Sequence, residues 1–377
     1  MNKITRIIQK NMRDDFFKGK VIVIYGARQV GKTTLVRQLM DSFNEKSVYF
    51  NCDEPDLRNG LTNKTSSELK LLIGDAKIAV FDEAQRVENI GITLKLLVDT
   101  YPDIQIIATG SSSFELANTI SEPLTGRTYQ YTLFPISELE IVSHLGYLES
   151  KRLLESRLKY GNYPEILTQE DQKEKERLLN GIKNNYLLTD ILKLENIKGS
   201  DTLYKLLQLL ALQVGSEVSF SELASTLEID KNTVKKYVDL LQKTFIIFKL
   251  SALSRNSRKE IAKKVKIYFT DVGIRNALIN NFNDMDLRSD KGALWENYLM
   301  SERIKFNSYT RNFVNSYFWR SYDQKELDLV EEENGKLFGY EFKWGSGGSR
   351  VYKLFNELYP GSSIKVVNRE NYSDFVV

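Results

Sequence analysis

Between Lys20 and Thr34 the chain reads KVIVIYGARQVGKTT: an unbroken apolar, mostly β-branched run, then Gly26, four residues, and Gly31-Lys32-Thr33 opening the helical stretch LVRQLM. This is the GxxxxGK[ST] spacing placed after a strand and before a helix, the context it needs to act as a phosphate loop. Phosphates require backbone amides to curl around them, which glycines permit, while the helix N-terminus adds positive potential. Gly26, Ala27, Arg28, Gln29, Val30, Gly31, Lys32, Thr33 and Thr34 are therefore the candidate phosphate-binding residues. Lys32 would reach the β- and γ-phosphates and Thr33 would hold Mg²⁺; a purely structural strand-turn-helix is the alternative.

Three further strands are predicted at Ser47 to Asn51, Ile78 to Phe81 and Ile104 to Thr109, alternating with helical stretches as in a parallel α/β sheet. The second of them ends in Asp82-Glu83, at the strand edge where ligands gather in open α/β sheets. There Asp82 would complete a Mg²⁺ shell through water and Glu83 would polarise an attacking water. Thr109, in Thr109-Gly110-Ser111-Ser112, offers hydroxyl chemistry near the γ-phosphate or else simply ends its strand. Arg127 in LTGRTYQY and Arg28 inside the loop are the candidates for stabilising transition-state charge, since phosphoryl transfer is accelerated mainly by positioning and electrostatics.

Composition narrows the remaining chemistry. The 377 residues contain one histidine (His144) and one cysteine (Cys52), which removes Cys/His zinc sites, disulfide frameworks and iron–sulfur clusters within one chain. His144 lies in an amphipathic helical stretch, SELEIVSHLGYL, and reads as an ordinary helix residue. Chemistry is left to carboxylates, lysines, arginines, hydroxyls and a hard metal such as Mg²⁺. The net charge of +3 does not announce nucleic-acid binding. No stretch approaches the roughly 18 apolar residues of a membrane span, and MNKITRIIQKNMRDD lacks the apolar core of a signal peptide, so a cytoplasmic protein without membrane partners is expected.

The motifs GARQVGKTT, VFDEAQ, ATGSSSFEL, LTGR and LFPISELE, in this order, resemble the AAA+/STAND-type P-loop ATPases of bacteria and archaea, whose C-terminal part resembles PD-(D/E)XK nucleases. The resemblance covers nearly the whole chain. It implies an α/β fold: a P-loop NTPase parallel sheet in residues 1–135, a helical lid and winged helix in 136–254, and a basic linker with an α/β PD-(D/E)XK nuclease-like domain in 255–377. It also implies ATP and Mg²⁺ as cofactors.

Residues Ile136 to Glu195 are helical in pattern, punctuated by Gly161-Asn162-Tyr163-Pro164. In related ATPases a similar loop lies near the adenine, which makes Pro164 a candidate base contact; a helix-breaking loop is the equal alternative. From Leu203 to Leu250 the pattern resembles a winged helix-turn-helix, with Val234, Tyr237, Val238 and Leu241 on one face and Lys231, Asn232, Lys235, Lys236 and Lys243 on the other. The lysine face could meet DNA phosphates or simply be solvated. Arg255 to Arg275 holds seven basic residues (Arg255, Arg258, Lys259, Lys263, Lys264, Lys266, Arg275) against Glu260 and Asp271, with Tyr268 and Phe269 interleaved. This stretch reads as a nucleic-acid patch or a charged linker.

Toward the C-terminus a helix from Gly292 to Arg303 carries Glu296, and strands are expected around Tyr317 to Trp319, Leu327 to Glu331 and Leu337 to Lys343, the last two joined by a turn at Glu333 to Gly335. Alternation puts Leu337, Gly339, Glu341 and Lys343 on one face. By resemblance to the PD-(D/E)XK site, Asp328 and Glu341 would bind Mg²⁺, Lys343 would orient a metal-bound hydroxide, and Glu296 would assist the metal shell; Leu327 replaces the usual proline. A surface Glu/Lys pair on a hairpin is the alternative. Two functions follow: an Mg²⁺-dependent ATPase controlling a nuclease-like domain that acts on DNA, or a STAND-like switch in which ATP drives homo-oligomerisation and the C-terminal domain docks a partner without cutting.

Overall fold

The computed structural model describes residues 4–111, 120, 122–184, 200–253, 265–321, 323–345 and 352–377. The chain forms two compact units, Lys3–Phe134 with Lys243–Phe245, and Pro135–Gln242 with Ile246–Val377. Among the described residues no helix is long and apolar enough to cross a membrane.

The first unit is built on a parallel sheet of β1 (Val21–Tyr25), β2 (Ser47–Asn51), β3 (Ile78–Asp82), β4 (Gln105–Gly110) and β5 (Thr128–Thr132), in the order β2-β3-β4-β1-β5. β1, β3 and β4 are buried along their whole length, as parallel strands covered on both faces must be, which explains their continuous apolar runs. β5 escapes the apolar-run criterion: TYQYT is mostly polar, buries only Tyr131, and sits at the sheet edge. The insertion of β4 between β1 and β3 matters most for function. It sets the end of β4 between the loop that follows β1 and the carboxylates that end β3.

The second unit opens with short helices, Glu138–Leu145, Tyr147–Arg152, Leu154–Tyr160, Pro164–Thr168 and Gln172–Ile182. Ser137 and Glu140 close a capping box on the first of them, satisfying amides that the helix itself cannot. Helices Ser200–Leu212, Phe220–Leu227 and Lys231–Lys243 follow. The third buries Val234, Val238, Leu240 and Leu241 and leaves Lys231, Asn232, Lys235, Lys236 and Lys243 exposed.

A six-stranded mixed sheet completes this unit: β6 (Ile247–Ala252), β7 (Val265–Phe269), β8 (Asn315–Arg320), β9 (Glu326–Glu333), β10 (Lys336–Phe342) and β11 (Ser363–Val367), in the order β11-β10-β9-β8-β6-β7. The expected turn between β9 and β10 is present, with Asn334 and Gly335 both at positive φ, as a two-residue hairpin of the twisted kind requires. β6 and β7 pair antiparallel, and β6 also joins β8, so one sheet runs through the helical middle and the C-terminal segment. Above it lies the helix Lys291–Tyr309, which buries Leu294, Trp295, Tyr298, Leu299 and Met300 together with the polar Asn297, Glu302 and Lys305.

The segment from Val265 to Arg275 is not a linker. Lys266, Tyr268, Phe269 and Arg275 are all buried, so Lys266 and Arg275 are removed from the set of phosphate-facing cations. Arg255, Arg258, Lys259, Lys263 and Lys264 lie outside the described residues.

Candidate functional site

The loop Gly26–Gly31 leaves β1 at its C-terminal end and leads into the helix Lys32–Ser42. Gly26 cannot carry a side chain: a Cβ there would lie 2.3 Å from the carbonyl oxygen of Leu133. Gly31 takes a left-handed φ of 96° and starts the helix with no side-chain cap of its own, leaving its first amides without an N-cap acceptor. Ala27 and Val30 are buried, whereas Gln29, also at positive φ, and Thr34 are exposed. Arg6 supports the loop from beneath, donating to the carbonyls of Val30 (2.8 Å) and Phe134 (2.6 Å).

Lys32, buried, donates from Nζ to the carbonyls of Gly26 (2.9 Å) and Ala27 (3.0 Å) and lies 3.8 Å from Glu83 Oε1. Burial lowers its pKa; Glu83 and Asp82 act against that effect and Arg28 with it, so Arg28 belongs to the same electrostatic neighbourhood. Asp82 is the hub of the site. Its Oδ2 accepts from the Thr33 hydroxyl (2.7 Å) and from Tyr49, and its Oδ1 accepts from Thr109. The Thr109 hydroxyl in turn accepts from the Glu83 amide at 3.0 Å. Glu83 adopts a left-handed φ of 53°, which turns it away from the strand, and Gln85 bridges its carboxylate (2.6 Å) to Ser111 (3.3 Å).

Thr33 and Asp82 are hard oxygen donors within hydrogen-bond reach of each other beside the phosphate loop, and this donor set fits a Mg²⁺ ion that keeps most of its waters. Lys32, Thr33, Asp82, Glu83 and Thr109 thus come together as the sequence suggests. Arg127 does not join them. It precedes β5 at the start of the sheet, its carbonyl accepting from Val21 at the opposite end of β1 from the loop, and its guanidinium pairs with Asp99 at 2.6 Å. The polar edge strand that follows LTGR thus starts at the end of the sheet away from the loop, and Arg127 lies apart from the phosphate loop of its own chain. Ser112 lies outside the described residues.

Pro164 opens a short helix in the other unit. The loop before it is held there by Asp271, whose carboxylate accepts from the Asn162 amide (2.7 Å) and leaves no room for a Cβ on Gly161, and by Glu302, which accepts from Asn162 Nδ2 (3.0 Å).

In the C-terminal segment Asp328 Oδ2 accepts from the Phe342 amide at 2.6 Å, and Lys343 Nζ lies 2.5 Å from Glu341 Oε1. Burial works to lower the pKa of Lys343, but Glu341, Asp328 and Glu296 together raise it, so the four residues named from sequence share one neighbourhood. Sequence reasoning missed two more members. Lys266 of β7 reaches Glu296 Oε1 (3.1 Å) and pairs with Glu326, while Tyr268 donates to the same Glu296 oxygen at 2.6 Å. Burial, then the neighbouring Glu296, holds the carboxyl of Asp328 well above the usual range, and burial also raises Glu296 against Lys266. Glu341 Oε2 is buried without a hydrogen-bond partner. Among the described residues no group of three or more His, Cys, Asp or Glu is arranged to hold a metal ion.

Residues 18–142 match the family described as "AAA domain", 151–285 a domain of unknown function (DUF8612), and 291–375 another (DUF4143). An uncharacterized protein of Mycobacterium tuberculosis is 27 % identical over 335 residues, 88 % of this chain and 72 % of that one. An uncharacterized protein of Methanocaldococcus jannaschii is 25 % identical over 357 residues, 89 % of this chain and 77 % of that one. Among solved structures the chain is similar to a Walker-type ATPase of Pyrococcus abyssi, with a TM-score of 0.52 at 16 % identity, covering 74 % of this chain and 96 % of that one. The parallel sheet with its glycine-rich loop has the P-loop ATPase fold, and the AAA-domain match falls on the segment that carries the loop, Asp82-Glu83 and Thr109.

Proposed function

We propose that this chain binds and hydrolyses ATP with Mg²⁺, and that its nucleotide state governs what the second unit engages. The observation that carries the reading is the linked set Lys32, Thr33, Asp82, Thr109 and Glu83 around an uncapped helix N-terminus. Lys32 would exchange its two carbonyl acceptors for phosphate oxygens, and Thr33 with Asp82 would hold the metal. Bound Mg²⁺ supplies charge neutralisation across the β- and γ-phosphates. Glu83, backed by Gln85, would orient and deprotonate the attacking water, and Thr109 fixes Asp82 and Glu83 relative to each other.

The exposed face Lys231, Asn232, Lys235, Lys236 and Lys243, on the third of three helices that precede an antiparallel strand pair, supports a winged-helix reading in which this face meets DNA phosphates. Steady-state ATPase assays test the main reading. Lys32→Ala should abolish turnover, and Glu83→Gln should retain ATP binding while losing at least about 10²-fold in rate. Unchanged hydrolysis in Lys32→Ala would sink the assignment.

A further inference from the structure

The carboxylates of the C-terminal segment are met by cations and donors of the chain itself, apart from Glu341 Oε2, which has no hydrogen-bond partner among the described residues. Glu296 and Glu326 both pair with Lys266 Nζ, whose residue is 1 % exposed, and Lys266 also lies over the Phe318 ring at 5.5 Å. The Glu296 carboxylate is further enclosed by the Tyr268 hydroxyl and by Gly215, where a Cβ would come within 2.9 Å of Oε2. Asp328 is occupied by the Phe342 amide, and Lys343 covers Glu341. Mg²⁺ demands near-octahedral oxygen coordination and keeps several waters, and the ammonium groups already on Glu296 (Lys266) and on Glu341 (Lys343) oppose both by charge and by volume.

We propose that Lys266 is the resident cation of this carboxylate cluster, held by Glu296 and Glu326 in place of a divalent metal, so that the C-terminal segment is metal-free and carries no metal-dependent cleavage site. This assignment is independent of ATP hydrolysis, because it concerns a different unit and different residues.

The test is Mn²⁺ binding to the nucleotide-free full-length chain, followed by the electron paramagnetic resonance signal of free Mn²⁺. Wild type and Asp328→Asn should give the same isotherm. Lys266→Met, which keeps the length and removes the charge, should gain one site per chain that disappears in the Lys266→Met/Asp328→Asn double variant. Its melting temperature should fall below wild type and rise with Mn²⁺, whereas that of wild type should not move. A Lys266→Met chain that folds only with Mn²⁺ supports the proposal as well. If the variant does not fold under either condition, the comparison of wild type with Asp328→Asn decides alone. A wild-type Mn²⁺ site lost in Asp328→Asn overturns the proposal, as does a folded Lys266→Met that gains none. Retained ATPase activity in Lys266→Met keeps this outcome distinct from any failure of the ATPase reading.

Discussion

Replacing Arg157 by Met tests how the second unit is held together. Arg157 is 1 % exposed and pairs with the equally buried Glu138, the second residue of the motif stretch SELE. Its Nη1 also donates to the Tyr298 hydroxyl (2.8 Å) and its Nη2 to the Ser150 carbonyl (2.7 Å) and hydroxyl (3.0 Å). Glu138 accepts in addition from Ser150 (2.6 Å), Tyr298 (2.7 Å) and Tyr372 (3.2 Å). Burial works to raise the Glu138 carboxyl, but Arg157 together with the hydrogen bonds from Ser150 and Tyr298 outweighs it and leaves the pKa below the ordinary value. Removing one partner of a buried ion pair strands the other charge, at a cost of about 3–5 kcal/mol. For a unit of this size that is roughly 6–20 °C in melting temperature, since each kcal/mol moves it by about 2–4 °C. The Glu138→Gln/Arg157→Met pair, with both charges gone, should recover at least about half of the loss, to be read by thermal unfolding of all four members of the cycle. pH supplies a second signature. Without Arg157 the buried carboxyl titrates above its unfolded value, so the stability it contributes is present below that value and lost as pH rises. The deficit of Arg157→Met should therefore narrow on acidification, whereas a simple packing defect is indifferent to pH. A loss under about 1 kcal/mol, or a double variant as unstable as the sum of the singles, would refute the reasoning.

Two other outcomes are expected. Asp290 is pulled down to about 2, because hydrogen bonds from Arg288 and Arg275 and their charge outweigh its burial; its contribution is therefore present above the ordinary carboxylate pKa of about 4 and lost as pH falls toward 2, and Asp290→Asn should flatten that acid limb of melting temperature against pH. Gly26→Ala drives a Cβ to within 2.3 Å of a main-chain oxygen that cannot rotate away, so it should cost about 1–3 kcal/mol and remove the rise in melting temperature that ATP gives wild type; an unaltered ATP response would contradict the loop geometry.

The sheet of the first unit was legible where strands are buried on both faces. The runs before Gly26 and before Asp82-Glu83 fall on β1 and β3 because burial on two faces forces apolar sequence, whereas SVYFN, on the edge strand β2, buries only Phe50 and shows itself by its β-branched and aromatic residues. β5 was not legible, since an edge strand can be polar, and with it went the placement of Arg127. The hairpin at Asn334-Gly335 was legible from turn chemistry alone. Arg6, Tyr49 and Lys266 were not, for a common reason. Each acts through a partner distant in sequence, and a charged or polar residue carries no local mark that separates a buried pair from a solvated face. Lys266 shows the cost: amid a run of basic residues it reads as surface, yet β7 turns it inward onto Glu296 and Glu326.

Two of the buried lysines near carboxylates, Lys32 and Lys266, show why similar side chains imply different chemistry. Lys32 makes its hydrogen bonds to neutral carbonyls of its own loop and stands 3.8 Å from the nearest carboxylate oxygen. Exchanging those bonds for bonds to phosphate oxygens replaces modest interactions, each worth about 1 kcal/mol, with charge-assisted ones. Lys266 is bound by two part-buried carboxylates, with a third, Asp328, raising its pKa further, and withdrawing it would leave their charges uncompensated before any metal has bound. A lysine tied to carbonyls is ready to meet an anion; a lysine tied to carboxylates has already met them. The same comparison assigns exchangeable ligand chemistry to the loop after β1 and a closed, structural role to the cluster under the helix Lys291–Tyr309, which is why metal should be sought with nucleotide in the first unit and not at Asp328 and Glu341 in the second.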